Sequence, residues 1–363
     1  MSSSTDSVLN FSAGPAILPP PVLEQARADI LDLDGTGIGV MEHSHRGAAF
    51  TRVLEEAKDN CRTLGAIPDE FEILFLQGGA TSMFALIPMN LLAAGQRADY
   101  IHTGAWTKKA IADARILGDV HLAWDGTDGE FRSLPSDDEL DLPGGARYTY
   151  YCSNNTIYGT MWNAPPRSDG WLISDMSSEM FSRPIDWNRH DLVYAGAQKN
   201  LGPAGVTLVI IRRELLEQSR RDLPAMFRFD QHADKGSCLN TPPTFGIHVM
   251  GLVFKWIIEQ GGLEAMHQKN LDKAALIYDA IDASDFYRGH ADTDCRSTMN
   301  ITFTCPNPEL DAKFLETATA RGMMNLKGHR SVGGLRASTY NAFPVEGCRQ
   351  LAELMREFAS AHG

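Results

Sequence analysis

Four short stretches carry residue types that could do chemistry together. Lys199 stands in YAGAQKNLGPAGVTLVII, Tyr194–Ile211, inside a glycine-flanked turn before an aliphatic run. An ordinary lysine has a pKa near 10.4 and is protonated at neutral pH, so to attack a carbonyl it must be buried or crowded by other cations. Asp175 closes WLISD, where an aspartate caps a following helix or points a carboxylate at a ligand; Ser177 and Ser178 would suit the helix start. QGGAT, Gln77–Thr81, lies between a strand-like and a helix-like run, where free N–H groups suit a phosphate. It lacks the lysine of a P-loop, and a Gly-Gly pair after a strand is on its own more often only a turn. Trp106, in HTGAWTKKA, is either a half-buried core residue or a plate for a planar ligand.

Each stretch alone has an ordinary structural explanation. In this order, a phosphate cradle, an aromatic plate, an aspartate and a lysine match the needs of pyridoxal 5′-phosphate. That cofactor has a phosphate to anchor and a flat pyridine ring whose nitrogen is kept protonated by a carboxylate. Its aldehyde bonds to a lysine amine. The 24 residues from Asp175 to Lys199 (199 − 175) leave room for a loop and one further strand.

The positioning elements are legible from patterning. Phe71–Gln77, Tyr100–Ile101, Arg147–Cys152, Trp171–Asp175, Leu192–Ala195 and Val206–Ile211 read as strands. Helix-like runs over Ser82–Ala94, with Pro88 expected to kink it, and Ala105–Leu117 alternate with them. The alternation predicts an α/β fold with a mainly parallel sheet. A long helix is expected over Phe245–Glu259, stopped by Gly261 and Gly262. Beyond it the tail changes character: a strand at Asn300–Thr304, a helix capped by Asn307-Pro308 and ended by Gly322, a strand from Leu335, and a last helix over Val345–Ala359. This predicts a smaller C-terminal α+β domain. The expected organisation is an N-terminal segment 1–17 reaching the site, a large domain 18–260 and a small domain 261–363.

The chain of 363 residues is 43% hydrophobic and 22% charged, ordinary for a globular protein, with room for a large core. A net charge of −13 argues against nucleic acid as a partner, while local arginines can still hold a small anion. Six sparse cysteines without a CxxC pair predict no metal and reduced thiols in a cytoplasmic protein. Neither a secretory signal nor a membrane span is legible.

The chain resembles the phosphoserine aminotransferases, class V, fold-type I pyridoxal-phosphate enzymes, through ordered matches along nearly its whole length. These include FSAGPAILP (Phe11–Pro19), HSHRG (His43–Gly47), QGGAT, GAW (Gly104–Trp106), YCSNNTIYGT (Tyr151–Thr160), SRPID (Ser182–Asp186), YAGAQKNLGPAG, NTPPTF (Asn240–Phe245) and KGHRSVGGLRASTYNA (Lys327–Ala342). The resemblance implies a seven-stranded-type sheet with Lys199 as the Schiff-base lysine, Asp175 on the pyridine nitrogen, Trp106 on the ring and Thr156 near its phenolic oxygen. It implies that Ala80, Thr81 and Gln198 hold the phosphate, with Asn240 and Thr241 from the neighbouring subunit of a homodimer. Arg336 takes the α-carboxylate. His45 with Arg46, and His329 with Arg330, are the candidates for substrate phosphate or the distal carboxylate of glutamate, and Ser12 touches substrate. Some members carry an arginine where Thr81 stands; here the two His-Arg pairs must supply that charge.

The reaction so implied is a two-half transamination. Glutamate and 3-phosphohydroxypyruvate give 2-oxoglutarate and phosphoserine, as in serine biosynthesis, with a phosphorylated hydroxy-acid of the vitamin B6 route as a possible second substrate of the family. A transaminase for an unphosphorylated acid is the nearest rival, and the His-Arg pairs argue against it. A non-catalytic protein of the same fold would have lost the lysine or aspartate, and both are present.

Overall fold

The computed structural model describes residues 8–363. Seven strands form the central sheet: β1 Phe71–Gln77, β2 Arg97–His102, β3 Asp119–Asp125, β4 Tyr148–Cys152, β5 Trp171–Asp175, β6 Leu192–Gly196 and β7 Val206–Arg212. Their spatial order is β1-β7-β6-β5-β4-β2-β3. All neighbours are parallel except β7, which runs antiparallel to both β1 and β6. The near-continuous apolar runs of β6 and β7 follow from burial on both faces.

Two core clusters cover the faces of this sheet. On one side Phe50, Ala57, Phe181, Leu208, Ile210, Met250 and Phe254 pack together; on the other lie Leu74, Phe84, Tyr100, Tyr150, Tyr194 and Val209. Successive residues of β7 divide between them, as the two-residue period of a strand requires. Helices Ala48–Gly65 and Thr244–Glu259 cross where Gly251 faces Ala57, a Cβ there meeting the Ala57 Cβ at 3.2 Å.

A third cluster belongs to the C-terminal part. A sheet of Arg288–Gly289, Asn300–Thr304 and Leu335–Ser338 packs on helices Gly262–Asp282, Pro308–Ala320 and Val345–His362. Leu9 and Phe11 join this cluster. Leu9–Asn10 pairs in parallel with Met323–Met324, and the Phe11 ring lies 4.4 Å from that of Phe343.

The expected strands and the helices over Ala105–Leu117 and the tail are present, and the Asn307 side chain accepts from Leu310 N at 2.9 Å. Three differences have physical causes. The helix expected from Ser82 begins at Gly79, because Gly78 and Gly79 adopt φ of 102° and 68°; a Cβ on Gly78 would meet Ser82 at 2.7 Å. It passes through Pro88 and stops at Leu91, three residues before Ala94. Strand β3, DVHLAWD, is an edge strand with acidic ends and mostly half-exposed residues, so its sequence lacks a clear alternation. Helices Pro20–Asp29, Ala48–Gly65 and Gly262–Asp282 were not expected from patterning either.

Phe254 is fully buried and edge-on to Phe181, with ring centroids 5.5 Å apart. Phe254→Ala is expected to destabilise the fold by about 3–5 kcal/mol through lost burial and a residual cavity, read as a lowered denaturant midpoint at unchanged slope.

Candidate active site

Strand register decides what meets at the sheet's edge. Cys152 pairs with Asp175, and Asp175 with Tyr194, so β4 and β5 finish level and β6 runs two residues further, to Gly196. Lys199 follows three residues after the end of β6. The antiparallel β7 starts where its neighbours end: Val206 faces Gln77 and Thr207 faces Gly196. One strand therefore sets the QGGAT turn beside the lysine turn.

The result is a cavity of about 390 Å³ whose walls include Gly14, Ala80, Thr81, Trp106, Asp175, Gln198 and Lys199. At one end lies the start of the 13-residue helix Gly79–Leu91, with unpaired N–H groups and the positive end of its dipole. Gly196 leaves the space there open: a Cβ would sit 2.7 Å from Gln198 Oε1 and 3.4 Å from Ala80 N. At the other end Asp175, 3% exposed, accepts from Ser177 N at 2.9 Å and Ser177 Oγ at 2.6 Å through Oδ1. A turn follows Asp175, so it caps no helix.

Lys199 enters from below. Its Nζ donates to Thr156 Oγ1 at 2.6 Å and lies 5.6 Å from the centre of the Trp106 ring. Burial pushes its pKa down to about 8; the Arg336 guanidinium adds to this, while Asp175 and Cys152 act against it. Gly14, at φ 134°, lies on the lysine stem, with a Cβ there 3.1 Å from Lys199 Cγ. Ala16 N donates to Gln198 O at 2.9 Å, tying the N-terminal segment to the lysine turn. Trp106 is set by the helix start at Ala105, where Thr107 Oγ1 accepts from Gly104 N at 3.0 Å. Its indole Nε1 is buried and lacks a hydrogen-bond partner.

Arg336, on the strand Leu335–Ser338, donates to Thr156 O at 3.3 Å and so stands beside the lysine's own partner. His329 is near enough to Arg336 for the guanidinium to help burial lower its pKa, and its Nδ1 lies 2.7 Å from Ser331 Oγ. Arg330 is exposed on the same loop. Ser12, part-buried, donates its N–H to Asn10 Oδ1 at 3.1 Å. Of the expected residues, Ala80, Thr81, Trp106, Asp175, Gln198 and Lys199 line the cavity; Thr156 and Arg336 reach it through their bonds at Lys199 and Thr156, and Ser12, His45, Arg46, Asn240, Thr241, His329 and Arg330 are not part of its wall. Thr241 O accepts from Gln77 Nε2 at 3.4 Å, at the edge of the phosphate turn, and His45 Nε2 is buried without a partner.

Sequence reasoning passed over several residues that the fold brings in. Gly14, Pro15, Cys152, Asn154 and Ser178 line the cavity. Ser177 was seen only as a helix start, although a serine two residues after an aspartate is also the signal for the turn it makes.

The donor set fits pyridoxal 5′-phosphate: a helix start for the phosphate, an unpartnered indole above, a carboxylate at the far end, and a buried amine of lowered pKa. Among the described residues no group of histidines, cysteines and acids could hold a metal.

Comparison with known proteins gives the same answer. The family model for class-V aminotransferases matches residues 8–351. The phosphoserine aminotransferase of Desulfotalea psychrophila is 51% identical over 355 residues, 98% of each chain. That of Herpetosiphon aurantiacus is 50% identical, spanning 98% of this chain and all of its own. Among solved structures, phosphoserine aminotransferase from Bacillus circulans subsp. alkalophilus superposes with a TM-score of 0.96 at 48% identity, over 99% of this chain and 100% of that one. A PLP-bound phosphoserine aminotransferase from Trichomonas vaginalis gives 0.92 at 38% identity, over 96% and 99%. The chain belongs to the class-V aminotransferases and, within them, to the phosphoserine aminotransferase family.

Proposed function

We propose that this protein transfers an amino group between glutamate and 3-phosphohydroxypyruvate, forming phosphoserine and 2-oxoglutarate, with pyridoxal 5′-phosphate as its cofactor. The observation that carries this reading is the buried Lys199 amine, held by Thr156 between Trp106 and Asp175 and beside Arg336. Bound there, the cofactor supplies an aldehyde for amine exchange and a pyridinium ring that withdraws electrons.

This chain's residues do the rest. Ala80 and Thr81 offer backbone N–H groups, and Gln198 its side chain, to the phosphate. Asp175, fixed by Ser177, would pair with the pyridine nitrogen and favour its protonated form, and Trp106 would pack on the ring. Arg336 binds the α-carboxylate and so turns the α-carbon toward Lys199. Lys199 Nζ, neutral at mildly alkaline pH, takes the α-proton and returns it as general base and acid, with Thr156 setting its direction. His329 and Arg330, near Arg336, would read the substrate's second anionic group, with Ser12 touching substrate.

The site is completed by a second copy of the chain. The stretch before His45 leaves Leu31, Ile38 and Met41 exposed, apolar surface that a partner would cover, and His45 Nε2 is buried without a partner in its own chain. A homodimer would bring Asn240 and Thr241 to the partner's phosphate end and His45 with Arg46 to its substrate end. The division into segment 1–17, large domain 18–260 and small domain 261–363 is part of this reading, residues 1–7 lying outside the described structure. It is supported by the separate C-terminal core and by the turn at Gly261 and Gly262, both at positive φ. All six cysteines of the chain are free, in keeping with a cytoplasmic setting. Among the described residues no helix is long and apolar enough to cross a membrane.

Turnover should depend on the phosphate: activity with phosphoserine and 2-oxoglutarate, and a large loss with serine in its place. Equal turnover on serine would refute the assignment. Lys199→Ala is expected to lose at least about 10²–10⁴-fold in kcat, and Asp175→Asn to fall markedly while still binding cofactor. The lowered pKa gives a pH test. The rate at which cofactor-free protein takes up pyridoxal phosphate should rise with a midpoint near pH 8, where the amine of Lys199 loses its proton; a midpoint near 10 contradicts the burial argument. Mixed dimers give a third test. Inactive Lys199→Ala chains combined with inactive Asn240→Ala/Thr241→Ala chains should recover activity at one site per dimer if these residues act across the interface, and none if they act within their own chain.

A further inference from the structure

A second lysine is buried outside the cavity. Lys273, on helix Gly262–Asp282, has no exposed surface. Its Nζ donates to Thr339 O at 2.9 Å and Tyr340 O at 2.7 Å. The groups acting on it electrostatically are Cys348 and Lys269, neither an acid; burial pushes its pKa down to about 7. An ammonium buried without a counter-ion is costly, and an apolar side chain would pack on this helix at less expense.

Its acceptors explain the placement. The strand that carries Arg336 ends at Ser338, so the carbonyls of Thr339 and Tyr340 leave the ladder while still buried. The same segment is gripped from the active-site side. Asn341 N donates to Asn200 Oδ1 at 3.0 Å, and Asn200 is the neighbour of Lys199. Asn341 Nδ2 donates to Phe181 O at 2.8 Å, and Tyr340 OH to Ala13 O at 2.8 Å. Residues 336–341 thus lie between the lysine turn and the N-terminal segment on one side and Lys273 on the other.

We propose that Lys273 is a positioning residue for substrate binding, its Nζ fixing the Thr339 and Tyr340 carbonyls by two hydrogen bonds so that Arg336 is held at the distance from Lys199 that a bound α-carboxylate requires. This rests on the reading of Arg336 as the α-carboxylate residue. It differs from a packing role because its effect must pass through Arg336.

The test is a double-mutant cycle on the holoenzyme with phosphoserine and 2-oxoglutarate. Lys273→Met is expected to raise KM for phosphoserine about tenfold, the loss of two hydrogen bonds behind the arginine, with kcat little changed and the cofactor's absorbance band retained. In an Arg336→Ala background it should add nothing. Lys273→Gln, which keeps a donor without the charge, should recover part of the loss. A fall in kcat/KM by the same factor in both backgrounds overturns the inference, as does a wild-type KM in Lys273→Met. Loss of folding in both Lys273 variants also overturns it, since the lysine then serves stability alone. An Arg336→Ala enzyme with unchanged KM overturns the assignment of Arg336 and this inference with it. A raised KM in Arg336→Ala beside an unaffected Lys273→Met overturns the inference only.

Discussion

The hydrogen bond from Lys199 Nζ to Thr156 Oγ1, inside a cavity that strips the amine of most of its water, is the contact on which the site depends. Burial disfavours the ammonium, and that penalty makes the lysine reactive near neutral pH. It also makes the lysine a liability for the fold. Below about pH 8 the folded chain carries a buried ammonium at full cost. Between about 8 and the ordinary value of 10.5 the unfolded chain keeps a proton that the folded chain has lost, so this group's contribution to stability improves as pH rises. The surroundings must hold an unfavourable charge in place at physiological pH, and they are correspondingly over-determined: Gly14 against the stem, Asn200 bonded across to Asn341, and the ends of β4, β5 and β6 in register around it.

The antiparallel strand β7 does for the phosphate end what this burial does for the lysine. In a wholly parallel sheet the turns after β1 and β6 would be separated by a strand running the same way, with its own turn between them. Because β7 enters at that edge, its first residues stand level with Gln77 and Gly196 and leave the helix start at Gly79 open to the cavity. Gly196 has no side chain where Gln198 and Ala80 approach. Charge placement follows: a positive helix end, a cation and an arginine converge, with one carboxylate at the far end, in a molecule of net charge −13.

Much of this was legible in the sequence, for identifiable reasons. Strands buried on both faces, such as β6 and β7, announce themselves as apolar runs; Asp175 ends one such run, and Gly78–Thr81, Trp106 and Lys199 lie just beyond others. That they share one cavity was not legible from spacing; it needed the order of strands and the direction of β7. The edge strand β3 was missed because its half-exposed residues carry no period. Residues reaching the site by long-range packing, such as Gly14 and Pro15, left no local signal beyond a glycine-proline pair. Lys273 looked like any helical lysine, since its partners are backbone carbonyls some 66 positions away. Of the expected residues, those on the turns after the strands, Ala80, Thr81, Trp106, Gln198 and Lys199, with Asp175 at a strand end, form the cavity wall; those from the motifs at His45–Arg46, Asn240–Thr241 and His329–Arg336 do not.

The pairing of Leu9–Asn10 with Met323–Met324, and of Phe11 with Phe343, has a consequence for how the chain assembles. These contacts close loops of more than 300 residues, among the slowest to form in any chain of this size. Leu9 and Phe11 leave the ribosome long before Met323 and Phe343, and are among the last residues to find their partners. Until Phe343 has been made, Leu9 and Phe11 have no core to enter, and Gly14 cannot settle on the lysine. Residues 9–14 therefore act as a late fastener, and Lys199 is fully enclosed only when segments more than 300 residues apart have met.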